Sequence, residues 1–207
     1  GLLRAEGADV INAGLVDTTD KAFETGDRFR TGGVDIIFLF VTTYALSSTV
    51  LPVVQRARVP VIVLNLSPEA AIDYASFNKL GDRIKMTGEW LAYCSACPVP
   101  EIANVFNRTG INFWQVTGML DNDEHVKKEI AEWIAVARVM QTMANNRMGC
   151  MGHYYSGMLD IYADLTQQYK YFGGHIELIE FDELLAMRKN VSDGQISERV
   201  KVFFEKF

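Results

Sequence analysis

The sequence predicts a parallel α/β fold, organised as two consecutive Rossmann-like three-layer units, and three stretches carry that prediction. Residues 34–44 (VDIIFLFVTTY), 59–65 (VPVIVLN) and 113–118 (FWQVTG) each begin as an apolar strand and end in small polar residues. A continuous apolar run suits a parallel strand covered on both faces. Helical patterns alternate with these strands, as in right-handed βαβ units. In an open sheet of this kind, a ligand sits beyond the carboxyl ends of the strands. Thr42, Thr43, Tyr44, Asn65 and Thr117 occupy those ends, and Ser47 follows closely. Thr42, Thr43, Tyr44, Ser47 and Asn65 are therefore the candidate substrate-binding residues. No residue of the chain is assigned a catalytic or metal-ligating role.

The elements follow in order. Residues 2–9 read as the last turn of a helix, a glycine stop at Gly7 and the approach to a short strand at Val10 and Ile11. Thr18 or Thr19 starts a helix that runs to about Arg30 and ends at Gly32 and Gly33. The strand 34–41 comes next, then a helix from Ser47 or Ser48 through Arg56, then the strand 59–64. Pro60 is tolerated among a strand's first residues. Residues 68–108 are helical but broken by turns at Gly81, Pro98 and Pro100. Gly110 stops a helix, and residues 113–119 return to strand. Asp121 and Glu124 form a capping-box pair ahead of a helix with Val126, Ile130, Trp133, Ala137 and Met140 on one face. A strand at 147–151, a helical stripe from Met158 to Phe172, a stop at Gly173 and Gly174 and a strand from His175 complete the pattern. Residues 197–207 form an amphipathic helix.

The strand–helix rhythm restarts near residue 111. That places a first α/β domain at 1–109, with its N-terminal strand missing, and a second, incomplete one at 110–207. A helix that opens the chain and feeds a strand predicts the middle of a longer protein.

Composition narrows the function. The 207 residues carry a net charge of −6, which argues against a nucleic-acid surface. No apolar run approaches the roughly 18 residues of a membrane span, and no signal peptide opens the sequence. The three cysteines are an odd number in a mid-sized chain. That usage predicts a reducing, cytoplasmic setting rather than a disulfide framework.

Several constellations have two readings. Cys94 and Cys97 form a C-x-x-C pair, and Cys150 and His153 have C-x-x-H spacing. Together they would supply four zinc ligands, or the first pair a redox site. The plainer reading is that Cys94 and Cys97 are reduced and pack as small apolar residues among Ala92, Ser95 and Ala96. Residues 149–157 (GCMGHYYSG) are glycine-rich. Gly152 and Gly157 have P-loop spacing, but Met158 and Leu159 stand where Lys and Ser or Thr must be, which excludes a nucleoside triphosphate site. The loop is either a turn or a platform presenting His153, Tyr154 and Tyr155. Asp160 and Asp164, one helical turn apart, read as solvated acids or chelators. His125, His175 and Glu101 read as structural, Glu101 through a helix N-terminus.

Residues 12–17 (NAGLVD), 35–44 (DIIFLFVTTY), 59–65 (VPVIVLN), 116–118 (VTG) and 147–149 (RMG), in this order and spacing, resemble the L-fucose and L-arabinose isomerase group. The resemblance covers nearly the whole chain and is to divergent arabinose-isomerase-like proteins. It implies an aldose–ketose isomerase with three α/β-type domains and a divalent metal, usually Mn²⁺. The metal polarises the sugar's oxygens while carboxylates move a proton through an enediol. In the family, the Glu and His ligands of that metal lie in later parts of the chain. The family's first domain completes the pocket of a neighbouring subunit, which implies a homo-oligomer. Tyr44 stands where the better-known enzymes place a Phe that lines the pocket. The family's Gln-Thr-x-His stretch is replaced here by residues 93–97 (YCSAC), without a His.

The sequence thus predicts a segment of a cytoplasmic sugar isomerase that contributes substrate-pocket and oligomer contacts and is inactive alone. Its substrate is a monosaccharide, with no nucleic-acid or membrane partner. The alternatives are a non-catalytic sugar-binding or sensor module, and a zinc or redox protein using Cys94, Cys97, Cys150 and His153.

Overall fold

A computed structural model describes residues 1–152 and 154–207. The elements are α1 (Leu2–Ala5), α2 (Thr19–Thr31), β1 (Ile37–Phe40), α3 (Leu51–Ala57), β2 (Val61–Ser67), α4 (Tyr74–Lys79), α5 (Arg83–Ala92), α6 (Val99–Thr109), β3 (Phe113–Met119), α7 (Glu124–Ala144), β4 (Arg147–Met151), α8 (Leu165–Phe172), β5 (His175–Ile179), α9 (Phe181–Lys189) and α10 (Asp193–Lys206). The protein is a mixed α/β chain with short parallel sheets: a three-stranded sheet in the order β1-β2-β3 and a two-stranded sheet of β4 and β5. Its contacts fall into two compact units, Gly1–Arg138 and Val139–Phe207. β3 hydrogen-bonds to β2 along its whole length and so belongs to the sheet of the first unit.

The core of the first unit is built around β2. Val61 and Val63 join Ala22 and Phe29 of α2, Val53, Val54 and Ala57 of α3, and Ile102 and Phe106 of α6 in one buried cluster. Ile62, Leu64 and Leu66 join Val116 and the Val126, Ile130 and Ile134 stripe of α7 in another. Alternate residues of a strand point to opposite faces, so the unbroken apolar run of β2 fills a core on each side. Full coverage is confined to β2. β1 and β3 are edge strands, and their residues are largely half-buried or exposed. Close approach of helices is also written in the sequence. A Cβ on Gly26 of α2 would stand 2.8 Å from Arg56 Cβ and 2.9 Å from Pro52 O of α3. Asp27 Oδ1 then accepts from Arg56 Nη1 at 2.8 Å across the same contact.

Three local expectations are corrected. Val10 and Ile11 form no strand. The carbonyl of Val10 accepts from the Arg4 guanidinium and that of Asn12 from the Arg28 guanidinium, while Asn12 Oδ1 accepts from Gly14 N–H. Those side chains replace a strand partner. The helix after β3 is capped by Asp123, not by Asp121. Asn122 adopts φ +57° and turns the chain one step further, so Asp123 Oδ1 accepts from the N–H groups of His125 and Val126 and Oδ2 from Met119 N–H. These backbone donors, Met119 first, hold the Asp123 carboxyl below its ordinary pKa. Ser47–Thr49 form a 3-10 turn and α3 begins only at Leu51, with Pro52 in its first turn.

In the second unit, β4 and β5 pair in parallel from Arg147↔His175 to Met151↔Ile179. Tyr169 of α8 clips the sheet: its hydroxyl donates to Ile176 O and accepts from Ile176 N–H, each at 3.1 Å. Arg147 pairs with Glu177 across the two strands, and that bond lowers the Glu177 pKa. No described residue of this unit is fully buried. Among the described residues, no helix is long and apolar enough to cross a membrane.

Candidate functional site

Asn65 and Thr117 do not end their strands: β2 and β3 stay paired through Ser67↔Met119, so these two residues face each other two positions before the carboxyl edge, while β1 ends at Phe40. Phe40 pairs with Leu64, Leu64 with Val116, and Asn65 with Thr117. Val41 N–H still donates to Leu64 O at 3.4 Å, after which the chain leaves the sheet as Thr42, Thr43 and Tyr44. Asn65 and Thr117 touch: Asn65 Nδ2 donates to Thr117 Oγ1 at 3.4 Å, and Gln115 Nε2 donates to the same oxygen at 2.7 Å. The other amide atom of Asn65 is different. Its Oδ1 is buried and has no hydrogen-bond partner among the described residues.

The Tyr44 loop is tethered on both sides. Thr43 Oγ1 donates to the Leu91 carbonyl of α5 at 3.0 Å. Ser47 N–H donates to Glu101 Oε2 at 3.1 Å and Ser47 Oγ to Glu101 Oε1 at 2.6 Å, with Glu101 in the first turn of α6. Between the tethers, Tyr44 is 59% exposed, so its ring does not pack beneath the helix that follows. Thr42 is exposed as well. Of the sequence-predicted residues, the structure joins Asn65 to Thr117 and gives Thr43 and Ser47 holding roles within the loop.

Glu101 is the residue that sequence reasoning missed. It reads as a dipole-stabilising helix-start acid, yet it closes the loop through Ser47, 54 residues earlier. No local spacing signals a pair so far apart in sequence.

The C-x-x-C pair is corrected. Cys94 and Cys97 are bonded to each other across a 3-10 turn, Cys94–Ala96, with their Cα atoms 5.2 Å apart, rather than being reduced packing residues. The tight turn, not a regular helix, brings the two side chains together. As a disulfide they present no thiolate to a metal. Cys150 is a free, exposed cysteine. His153 lies outside the described residues, so the four-ligand set of the zinc reading is not assembled from them. Among the described residues, no group of three or more His, Cys, Asp and Glu side chains is placed to hold a metal ion.

The remaining motifs have structural duties. Asp164 caps α8, accepting from Thr166 N–H and Gln167 N–H, and the Thr166 hydroxyl bond lowers its pKa. Tyr154 donates to Ala163 O at 3.0 Å and stacks on Tyr162, while Tyr155 is exposed. His125 faces Glu129 at 3.7 Å one turn along α7, and His175 stacks on Tyr169. A hollow of about 150 Å³ lies between α4 and α5, lined by Ile72, Asp73, Phe77, Leu80, Glu89 and Tyr93. It is smaller than the roughly 300–1,000 Å³ of ordinary ligand pockets, and it includes none of the predicted residues. Asp73 is committed there as the α4 cap, with Ser76 bonds lowering its pKa.

What the sheet edge offers chemically is a buried amide oxygen that lacks a donor, nearby hydroxyls and one exposed aromatic ring. Among the described residues it shows no cluster of acids or bases for proton transfer, and Glu101 is engaged by Ser47. The fold is mixed α/β with two short parallel sheets, of three and of two strands. No protein-family model matches the chain, and no curated protein matches it.

Proposed function

We propose that the chain binds a monosaccharide at the carboxyl edge of β1 and β2, as a segment of an aldose–ketose isomerase similar to the L-arabinose and L-fucose isomerases. In this reading the units are Rossmann-like three-layer units, and the whole protein works in the cytoplasm as a homo-oligomer. The observation that carries the reading is Asn65 Oδ1, buried two residues before the end of β2 without a donor among the described residues. Leaving such an oxygen unpaired costs about 1–3 kcal/mol. A sugar hydroxyl supplies the missing donor. Tyr44 supplies a flat apolar face for the sugar's C–H groups and a hydroxyl beside it.

The metal of the resembled family, usually Mn²⁺, finds no matching ligand set among the described residues, so no step through a metal is assigned to them. The segment's role is substrate contact. A non-catalytic sugar-binding or sensor module shares that role, and the strand-end edge, which shows no acid–base cluster among the described residues, suits it equally.

The test is a calorimetric titration of the chain with L-arabinose and L-fucose, repeated with Tyr44→Ala. The reading expects saturable binding and at least a roughly tenfold loss in the variant, about 1.4 kcal/mol. Turnover in the presence of Mn²⁺ by this segment alone would contradict the assignment of a purely substrate-contacting role. Absence of any sugar binding would overturn the reading as a whole.

A further inference from the structure

The segment from Leu91 to Glu101 holds both ends of the Tyr44 loop: Leu91 O accepts from Thr43 Oγ1, and Glu101 accepts from Ser47. The Cys94–Cys97 bond lies between those two anchors. Ser95, enclosed by the bonded pair, is 1% exposed, and its Oγ donates to the Leu66 carbonyl at 3.2 Å, one residue beyond Asn65 on β2. The disulfide therefore staples the turn that ties the loop to the sheet edge. The loop has little else to hold it, since Tyr44 and Leu46 are both more than half exposed. Segments with few buried contacts open at low free energy and respond to the loss of a single restraint.

The two residues differ in access. Cys94 is 1% exposed, whereas Cys97 is exposed. We propose that Cys94–Cys97 is a thiol-exchangeable disulfide that controls the order of the Tyr44 loop, with a small thiol of the glutathione class as its reaction partner. An external thiolate attacks the sulfur of the more exposed residue, Cys97. A bond forms between the external sulfur and Cys97, the Cys94–Cys97 bond breaks, and the Cys94 thiolate takes a proton from water. A second external thiolate attacks the sulfur of the first, and Cys97 leaves and is protonated. One protein disulfide and two external thiols become one protein dithiol and one external disulfide. The protein gains two electrons and the external thiols lose them. With the bond open, the turn between Leu91 and Glu101 regains chain freedom, and the geometry of both anchors loosens.

The experiment uses the intact chain at a series of reduced to oxidised glutathione ratios. Each sample is alkylated and weighed, and amide exchange at Ser47 is followed by NMR. After purification in air, Cys150 alone is alkylated. Glutathione exposes Cys94 and Cys97, Ser47 exchange becomes about tenfold faster, and reoxidation reverses both changes. Cys97→Ser, at the more exposed residue of the pair, shows the fast exchange at every ratio. Alkylation of Cys94 and Cys97 in the air-purified protein would overturn the proposal. So would a bond inert to glutathione, or Ser47 exchange that is the same in both states. None of these readouts uses a sugar, so their failure is separable from failure of the sugar-binding reading.

Discussion

Replacing Asn65 by Leu separates stability from binding. Asn65 Oδ1 is buried without a partner, and its Nδ2 makes one long bond of 3.4 Å to Thr117 Oγ1, which Gln115 Nε2 also reaches at 2.7 Å. Leu has the same branched skeleton and carries no polar atom. Removing the orphaned oxygen returns about 1–3 kcal/mol, and the lost long bond costs about 0.5 kcal/mol. Asn65 shares a strand face with Val61 and Val63, which lie in the α2–α3–α6 cluster, so the new methyl groups meet apolar neighbours. Asn65 itself is half-buried. The net expectation is stabilisation by about 1 kcal/mol, a Tm rise of roughly 2–4 °C for a chain of this size. Sugar affinity falls at least about tenfold at the same time, because the acceptor is gone. Differential scanning calorimetry and titration on the same preparation read both quantities. Destabilisation by more than about 1 kcal/mol would show that Oδ1 is satisfied in the free protein, and the reasoning would fail.

Two further outcomes follow from the packing and the caps. Ile102→Ala empties a fully buried position in the cluster of α6 with β2 and lowers stability by about 2–5 kcal/mol in denaturant unfolding. Asp123→Ala lowers Tm at neutral pH by removing the acceptor for Met119, His125 and Val126 N–H groups. Because hydrogen bonding depresses the folded-state pKa of Asp123, its contribution is present above the unfolded value of about 3.9 and is lost as pH falls through the folded value. The Tm gap between wild type and variant therefore narrows in acid, and a gap independent of pH would rule out the ionised cap.

The strands were the most legible part of the sequence. β3 at Phe113–Met119 and β4 at Arg147–Met151 match the strands expected at 113–119 and 147–151, and β2 shows the two-faced burial that its apolar run implies. The parallel order follows from helices between strands. What stayed hidden depends on long-range partners. Val10 and Ile11 have strand-forming side chains, but arginines from α1 and α2 take carbonyls of that stretch. Asp121 has capping-box spacing to Glu124, but the left-handed Asn122 carries the chain one residue further and makes Asp123 the cap. The Ser47–Glu101 tether and the exclusion of a donor from Asn65 Oδ1 are properties of the folded edge, with no local pattern behind them. The Cys94–Cys97 bond was misjudged because composition suggests a compartment, whereas the 3-10 turn decides which sulfurs meet.

The central claim is that the carboxyl edge of the three-stranded sheet is a ligand site. An NMR titration of the chain with L-arabinose and L-fucose tests it most directly. The account predicts saturable amide and side-chain shifts at Thr42–Ser47, at Asn65 including its amide group, and at Thr117. Shifts confined to other surfaces, or none at sugar concentrations far above the millimolar range, would contradict it.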